Sequence, residues 1–308
     1  MPSFDNAYAR QLALLMDVLP HVAQERSFAL KGGTAINLFF RNLPRLSVDI
    51  DLTWLPMDAR PQALTGIAAG LDRIAVALRE QLHCRVQAKT THDGVPVGLT
   101  IQRERVDIKI DVTPVLRGSV FAPEIRRMQP AAEERFGLLE VQTLGFADLF
   151  AGKLSAAVDR QHPRDLFDVM HLFASEGLTN ELWLTFIIYL TAAGRPAAEM
   201  INPNRLPLHE AFVREFAGMT EDAVDVDALE QARETMIASI HARMDDNMQA
   251  FLLSVERETP EWHRLGLPAH VPELPAIRWK LANLAKRTAT KRESDYRQLA
   301  ETLARIKE

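Results

Sequence analysis

Apolar positions Leu12, Leu15, Met16 and Leu19 recur three or four residues apart, a spacing that predicts an amphipathic helix over residues 5 to 25. Ser27 to Lys31 then leads into Gly32-Gly33, a glycine turn, and Thr34 to Arg41 resumes a helical pattern. Over Ser47 to Thr53 the period changes to two. Val48, Ile50 and Leu52 alternate with Ser47, Asp49 and Asp51, which predicts a strand with one apolar and one acidic face. A further helix is predicted over about residues 61 to 82. Three strand-like runs follow, at 83–91, 95–101 and 105–112, with Asp93-Gly94 as a hairpin turn between the first two. From Gly145 onward the pattern is helical nearly to the end, punctuated by Pro163, Gly177, Pro203, Pro207 and the prolines between Pro260 and Pro275.

This order of elements predicts an α+β fold: a mixed β-sheet with flanking helices, followed by a largely helical C-terminal part. At 308 residues, 47% of them hydrophobic, the chain is long enough for two cores. We place the boundary between residues 1–144 and 145–308.

Composition narrows the setting. Thirty-six Lys and Arg against 41 Asp and Glu give a formal charge of −5, so any contact with nucleic acid has to come from a local basic patch. The single cysteine, Cys84, cannot form an internal disulfide and fits a reducing compartment, which makes the cytoplasm the expected location. The N-terminal stretch lacks a basic region ahead of an apolar run, and no apolar run reaches membrane-spanning length, so neither a signal peptide nor a membrane partner is expected.

Asp49 and Asp51, two apart on a strand, project from one face with Cα atoms about 6.5 Å apart. Such a pair suits a cation that takes few protein oxygens and leaves its other positions to water and phosphate, although Asp-x-Asp is more commonly a solvated strand face. Upstream, Lys31-Gly32-Gly33-Thr34 opens a helix whose backbone N–H groups can receive a phosphate; an ordinary helix start capped by Thr34 accounts for the same residues. Val106, Ile108, Ile110 and Val112 alternate with Asp107, Lys109 and Asp111. If that strand pairs beside the first, Asp111 is either a third metal ligand or one charge on an exposed face, and Asp107 is the weaker candidate.

Farther along, Phe146, Leu149, Phe150, Leu154, Ala157 and Val158 mark the buried stripe of a helix, and Lys153 lies on its edge. A lysine there usually snorkels to solvent; the alternative is a cation serving triphosphate charge. His162-Pro163 breaks the helix, and Arg164 and Asp168 follow four apart, spaced for a surface ion pair. Near the C-terminus, Ala276 to Arg292 contains Lys280, Lys286, Arg287, Lys291 and Arg292 with no acid, and Trp279 among them. This is either an RNA-binding patch or a basic helix face packed on its other side by Trp279, Leu281 and Leu284.

Two of these segments resemble one family. LKGGTAINLFFRNLPRLSVDIDL, residues 30 to 52, is similar to the first motif of the AbiEii/AbiGii-type (MenT-like) toxins of the DNA polymerase β-like nucleotidyltransferase superfamily: a Gly-Gly-Thr turn, a helix, an Arg-x-Ser run and Asp-x-Asp. FADLFAGKLSAAVDRQHPRDLFDV, residues 146 to 169, is similar to the later motif, with its helix lysine, an Arg-Asp step and a following aspartate. The turn is Gly-Gly-Thr where the wider superfamily has Gly-Ser.

The resemblance implies a nucleotidyltransferase-type sheet whose active site is completed by the helical domain. It implies Asp49 and Asp51 as catalytic ligands of Mg²⁺ or Mn²⁺, and leaves Asp111 a candidate third ligand. Lys153 would be a catalytic, triphosphate-contacting lysine and Asp168 a further essential acid. Gly33, Thr34, Ser47 and Arg164 would be nucleotide contacts. The implied activity is transfer of nucleotides from a nucleoside triphosphate to an RNA acceptor, at tRNA 3′ ends, by a toxin with a cognate antitoxin. A protein or small-molecule acceptor, or a non-catalytic scaffold of the same fold, are the competing readings.

Overall fold

The structure, a computed structural model, describes residues 6–220 and 222–306; Asp5, where the first predicted helix begins, lies outside them. The chain divides into two compact units. One comprises residues 1–145 together with 217–223, the other 146–216 together with 224–308.

In the first unit, α1 (Asn6–Val22) buries Leu12, Leu15 and Leu19 as its periodicity predicts, with Leu14 and Val18 completing the stripe and Met16 at its margin. The chain continues through β1 (Phe28–Lys31), α2 (Gly32–Ala35), a π-helical turn (Ile36–Phe40), β2 (Asp49–Trp54) and α3 (Arg60–Leu82). After these come β3 (Arg85–Thr90), β4 (Pro96–Arg103), β5 (Val106–Val112), β6 (Glu124–Arg127), α4 (Pro130–Phe136) and β7 (Glu140–Thr143). Among the described residues the seven strands form one mixed sheet in the order β3-β4-β5-β2-β1-β7-β6. The predicted hairpin joins β3 to β4, with Gly94 at φ +77°, a value that glycine adopts without steric cost.

The helix expected over Thr34 to Arg41 is instead a short α-helix that widens into the π turn. Asn37 is wholly buried and its side-chain amide donates to the Gly33 carbonyl at 2.8 Å, the acceptor its own backbone N–H would use in an α-helix. Three strands carry no readable alternation, because β1, β6 and β7 are four residues each. β1 nevertheless lies inside the sheet, antiparallel to β2 and parallel to β7.

One face of the sheet is apolar. Leu30, Ile50, Leu52, Leu99, Ile101, Ile108, Ile110 and Val112 are all buried there, under α1 and α3. The pleat therefore sends Lys31, Asp49, Asp51, Lys109 and Asp111 to the opposite face. The pairing registers set five residues in one row across five strands on that face: Lys89, Gly98, Asp111, Asp51 and Lys31.

The second unit is helical, as the proline-punctuated pattern predicts. It comprises α5 (Phe146–Arg160), α6 (Pro163–Ala174), α7 (Asn180–Ala192), α8 (Ala197–Ile201), α9 (His209–Glu215), α10 (Val226–Ala242), α11 (Asp246–Glu256), α12 (Pro275–Leu284) and α13 (Ala289–Arg305). No helix among the described residues is long and apolar enough to cross a membrane.

Gly98 is fixed by its neighbours, since a Cβ there would sit 2.5 Å from the Ile110 carbonyl oxygen and 3.1 Å from Asp111 Oδ1. A backbone atom on a central strand cannot swing aside, so Gly98→Val is expected to lower stability by about 1–3 kcal/mol, read as a lower urea midpoint.

Candidate active site

The acidic face starts at the glycine turn. Gly32 adopts φ +71°, and a Cβ on it would fall 2.3 Å from Asp51 Oδ2, so the bare backbone is what lets the turn lie against that carboxylate. Thr34 follows, wholly buried. Its hydroxyl donates to the Asp49 backbone carbonyl at 2.6 Å and stands 3.1 Å from Ser47 Oγ. Three of the predicted nucleotide contacts, Gly33, Thr34 and Ser47, are thus brought together at the start of the Asp-x-Asp strand. The Thr34 side chain is turned inward, holding that strand rather than facing solvent.

A residue that the sequence reading named only as part of a motif proves central to this arrangement. Arg45, 2% exposed, donates from Nη1 to the Leu46 carbonyl at 2.8 Å. A Cβ on Gly33 would lie 2.6 Å from Arg45 Nη2 and 2.8 Å from Ser47 Oγ. Gly33 therefore leaves room for the guanidinium. Met219 and Thr220 brace the same stretch, through a bridge between Arg45 and Thr220 and a 2.8 Å bond from Leu46 N–H to the Met219 carbonyl.

Asp49 and Asp51 share a face of β2, and β5 pairs beside it in parallel with Asp111 opposite Asp51. Asp111 accepts a 2.6 Å bond from Lys89 Nζ. On the other side Lys31 is opposite Asp51; burial pushes its ammonium below the ordinary lysine value, and the Asp51 carboxylate acts against that shift. Asp107 is exposed and accepts from Gln102 at 3.2 Å.

Among the described residues no group of three or more His, Cys, Asp or Glu side chains is arranged to hold a metal ion. Asp49 and Asp51, on one face of β2 with Asp51 against the Gly32 turn, would form an open pair. That fits a hard cation such as Mg²⁺, which keeps most of its positions for water and phosphate oxygen. It does not fit a closed protein cage.

In the second unit Lys153 is buried, not snorkelling: its Nζ lies 2.7 Å from Asp165 Oδ1 and 3.0 Å from Asp168 Oδ2. Arg160 adds two bonds to Asp165, from Nε at 2.5 Å and Nη2 at 3.0 Å. Burial by itself would raise the Asp165 pKa; Lys153 and Arg160 outweigh it and hold the carboxyl well below the usual range. Asp168, whose spacing from Arg164 also suited a surface ion pair, is buried and faces Lys153, whereas the Arg164 guanidinium lies 3.6 Å from Glu215. Arg160 and Asp165 were absent from the sequence-derived site, since they lie five apart on two helices separated by the Pro163 break and only the fold brings them together.

The basic stretch near the C-terminus is largely neutralised within its own unit. Lys280 is buried and donates to the Ala193 carbonyl at 2.8 Å; burial lowers its pKa and Glu256 opposes the shift. Arg287 and Lys291 both reach Asp295, at 2.6 and 2.8 Å, and Arg292 reaches Glu258 at 2.5 Å. Lys286 is exposed, and Trp279, which the packed-face alternative put on the buried side, is half exposed.

A mixed sheet carrying paired aspartates beside a glycine turn, joined in the chain to a helical unit, is the architecture of the nucleotidyltransferase fold. A family model described as "Nucleotidyl transferase AbiEii toxin, Type IV TA system" matches residues 13–283, and the chain belongs to this family. Among solved structures the chain is similar to MenT4, a nucleotidyltransferase toxin from Mycobacterium tuberculosis H37Rv, with a TM-score of 0.59 and 17% identity over 91% of this chain and 95% of that one. At that identity the likeness establishes the shared fold. Among curated proteins, no significant match is found. The family makes this protein a nucleotidyltransferase toxin of a toxin–antitoxin system, with a cognate antitoxin and a nucleoside triphosphate as substrate.

Thr34→Val removes the bond to Asp49 while keeping the side-chain volume. It is expected to cost about 1–3 kcal/mol, measured by urea denaturation, because the Asp49 carbonyl loses a buried donor. Asp165→Asn removes one of the two carboxylates on Lys153, the one that also pairs with Arg160, and is expected to cost about 3–5 kcal/mol at neutral pH. A carboxyl whose folded pKa is depressed stabilises fully above its unfolded value of about 4, and that contribution fades as pH falls toward the folded one. The stability gap between wild type and variant should thus be constant above about pH 4 and narrow below it; a gap independent of pH down to pH 3 would contradict the assignment.

Proposed function

We infer that the protein is a metal-dependent nucleotidyltransferase that adds nucleotides from a nucleoside triphosphate to an RNA acceptor, the 3′ end of tRNA, and thereby blocks translation. The observation that carries this reading is the pair Asp49 and Asp51 on one strand face, tied through Thr34 to the glycine turn. Asp49 and Asp51 would hold Mg²⁺ or Mn²⁺, which supplies neutralisation of triphosphate charge. The acceptor 3′-hydroxyl attacks the α-phosphorus, forming a new P–O bond as the bond to the β-phosphate oxygen breaks and pyrophosphate leaves.

The chain's own residues set up that displacement. Gly32 and Gly33 let the turn pack against Asp51, Arg45 and Ser47, its backbone N–H groups would meet phosphate, and Thr34 and Ser47 hold this turn at the head of β2. Lys153 is the cation that serves the triphosphate, with Asp165 and Asp168 fixing its position, and Arg164 is a further nucleotide contact. Of the basic stretch, Lys286 is the best placed to meet RNA phosphate, since it is exposed while Lys280, Arg287, Lys291 and Arg292 are engaged within the unit. The cytoplasm, where tRNA resides, is the site of action.

Incubation with Mg²⁺, total tRNA and each α-labelled nucleoside triphosphate in turn tests this reading. Wild type is expected to label tRNA with a particular nucleotide, and Asp49→Ala or Asp51→Ala to reduce labelling at least about 100-fold while folding normally. Label appearing in protein or in a small molecule, and none in RNA, would move the acceptor to that class.

A further inference from the structure

Arg117, on the loop that follows β5, is 6% exposed, yet among the described residues its side chain makes one hydrogen bond and no ion pair. Nη1 donates to the Asp58 carbonyl at 3.0 Å, and Nε is buried without a partner. A guanidinium has five N–H donors and a fixed charge, so holding it out of water with no counter-ion is costly. Burial and the nearby Arg60 guanidinium both push its pKa below the ordinary arginine value, and Asp58 acts against them. Lys153, a buried cation of the second unit, meets two carboxylates; Arg117 has a second cation near it instead. Asp58 stands two residues before α3, a helix of 23 residues whose start no side chain caps, so its first backbone N–H groups and positive dipole end adjoin the loop that Arg117 holds. The Gly118 N–H reaches the Trp54 carbonyl at 2.8 Å, which fixes the Arg117 loop at the end of β2, and the Trp54 indole N–H is a further buried donor without a partner.

We propose that Arg117, with Arg60 and the first turn of α3, forms a binding site for a phosphate group at the end of β2. Phosphate is the anion that suits this set, because its several oxygens accept from a guanidinium and from helix N–H groups together, and its charge is the counter-ion that Arg117 lacks. Trp54 lies three residues beyond Asp51, about 10 Å along the strand, so the site is separate from the aspartate pair. Two substrates of the proposed reaction carry phosphate: the RNA acceptor in its backbone, and the nucleoside triphosphate. The first of these sources rests on the RNA reading of the acceptor given above.

Binding of labelled total tRNA to the full chain, followed by fluorescence anisotropy over a range of salt concentrations, tests the site without recourse to activity. If the phosphate belongs to RNA, Arg117→Met should bind tRNA more weakly, and the slope of log affinity against log salt should be less steep by about 0.7–0.9, the loss of one phosphate contact. Arg60→Gln, at an exposed position, should shift both in the same direction. If the phosphate belongs to the triphosphate, tRNA binding is unchanged, and equilibrium dialysis with labelled nucleoside triphosphate and Mg²⁺ should show an affinity lower by about tenfold, the worth of a charge-assisted hydrogen bond. Because methionine removes a buried charge, the urea midpoint of Arg117→Met in phosphate-free buffer should be no lower than that of wild type. Unchanged binding in both assays overturns the site, and a lowered midpoint alongside it would assign Arg117 to bracing the loop before α3. If wild type binds no tRNA, the RNA reading of the acceptor fails, while the phosphate site stands or falls on the triphosphate assay.

Discussion

The hydrogen bond from the buried Thr34 hydroxyl to the Asp49 carbonyl is the constraint on which the first unit's site depends. Asp49 is the first residue of β2, and its carbonyl lies at a strand end, where the sheet ladder supplies a backbone partner least reliably. By taking that carbonyl, Thr34 fixes where the strand begins relative to the glycine turn. Everything nearby follows from this distance being short. Gly32 has to be bare because Asp51 lies against it, and Gly33 because the Arg45 guanidinium and Ser47 hydroxyl do. A turn that only had to reverse the chain would not need two adjacent glycines for two different neighbours.

The same economy of space governs the charges. A sheet with one face under α1 and α3 has to put its polar alternates on the other, and β2 and β5 contribute three aspartates in adjoining positions. Like charges side by side on neighbouring strands disfavour the folded state unless cations interleave. Lys31 opposite Asp51 and Lys89 on Asp111 do so from the two flanks of the row. The helical unit solves the equivalent problem in a drier place: Lys153 and Arg160 face Asp165 and Asp168 within hydrogen-bond distance, and it is proximity of opposite charge that keeps a buried carboxyl ionised.

Much of this was legible in sequence, and the boundary between what was and was not is physical. Period two over Ser47 to Thr53 is a local property, so Asp49 and Asp51 could be placed on one face, and the same argument reached Asp111. Arg45 could not be recognised as buried, because the space it fills is made by Gly33, twelve positions upstream, and only the fold brings them together. Lys89 and Gly98 are likewise unremarkable until register is known. Strands of four residues such as β1 show too few alternations to reveal themselves. The basic stretch misled for the opposite reason: composition between Ala276 and Arg292 shows no acid, yet Glu256, Glu258 and Asp295 arrive from outside that window on α11, the residues after it, and α13.

These cases share a direction. Sequence pattern reports which side of an element a residue occupies, whereas function here turns on what stands beside it on the next element. Asp168 illustrates the step: four residues from Arg164 on α6 it reads as a surface pair, but α5 places Lys153 against it and buries both. A charge whose partner comes from its own helix can be exchanged for another at little cost, since solvent stands ready to replace it. A charge whose partner comes from a different element, out of water, ties those elements together. Lys153, with two carboxylates from α6 on one ammonium, therefore positions α5 against α6 as much as it carries charge, and substitution there perturbs packing and electrostatics together.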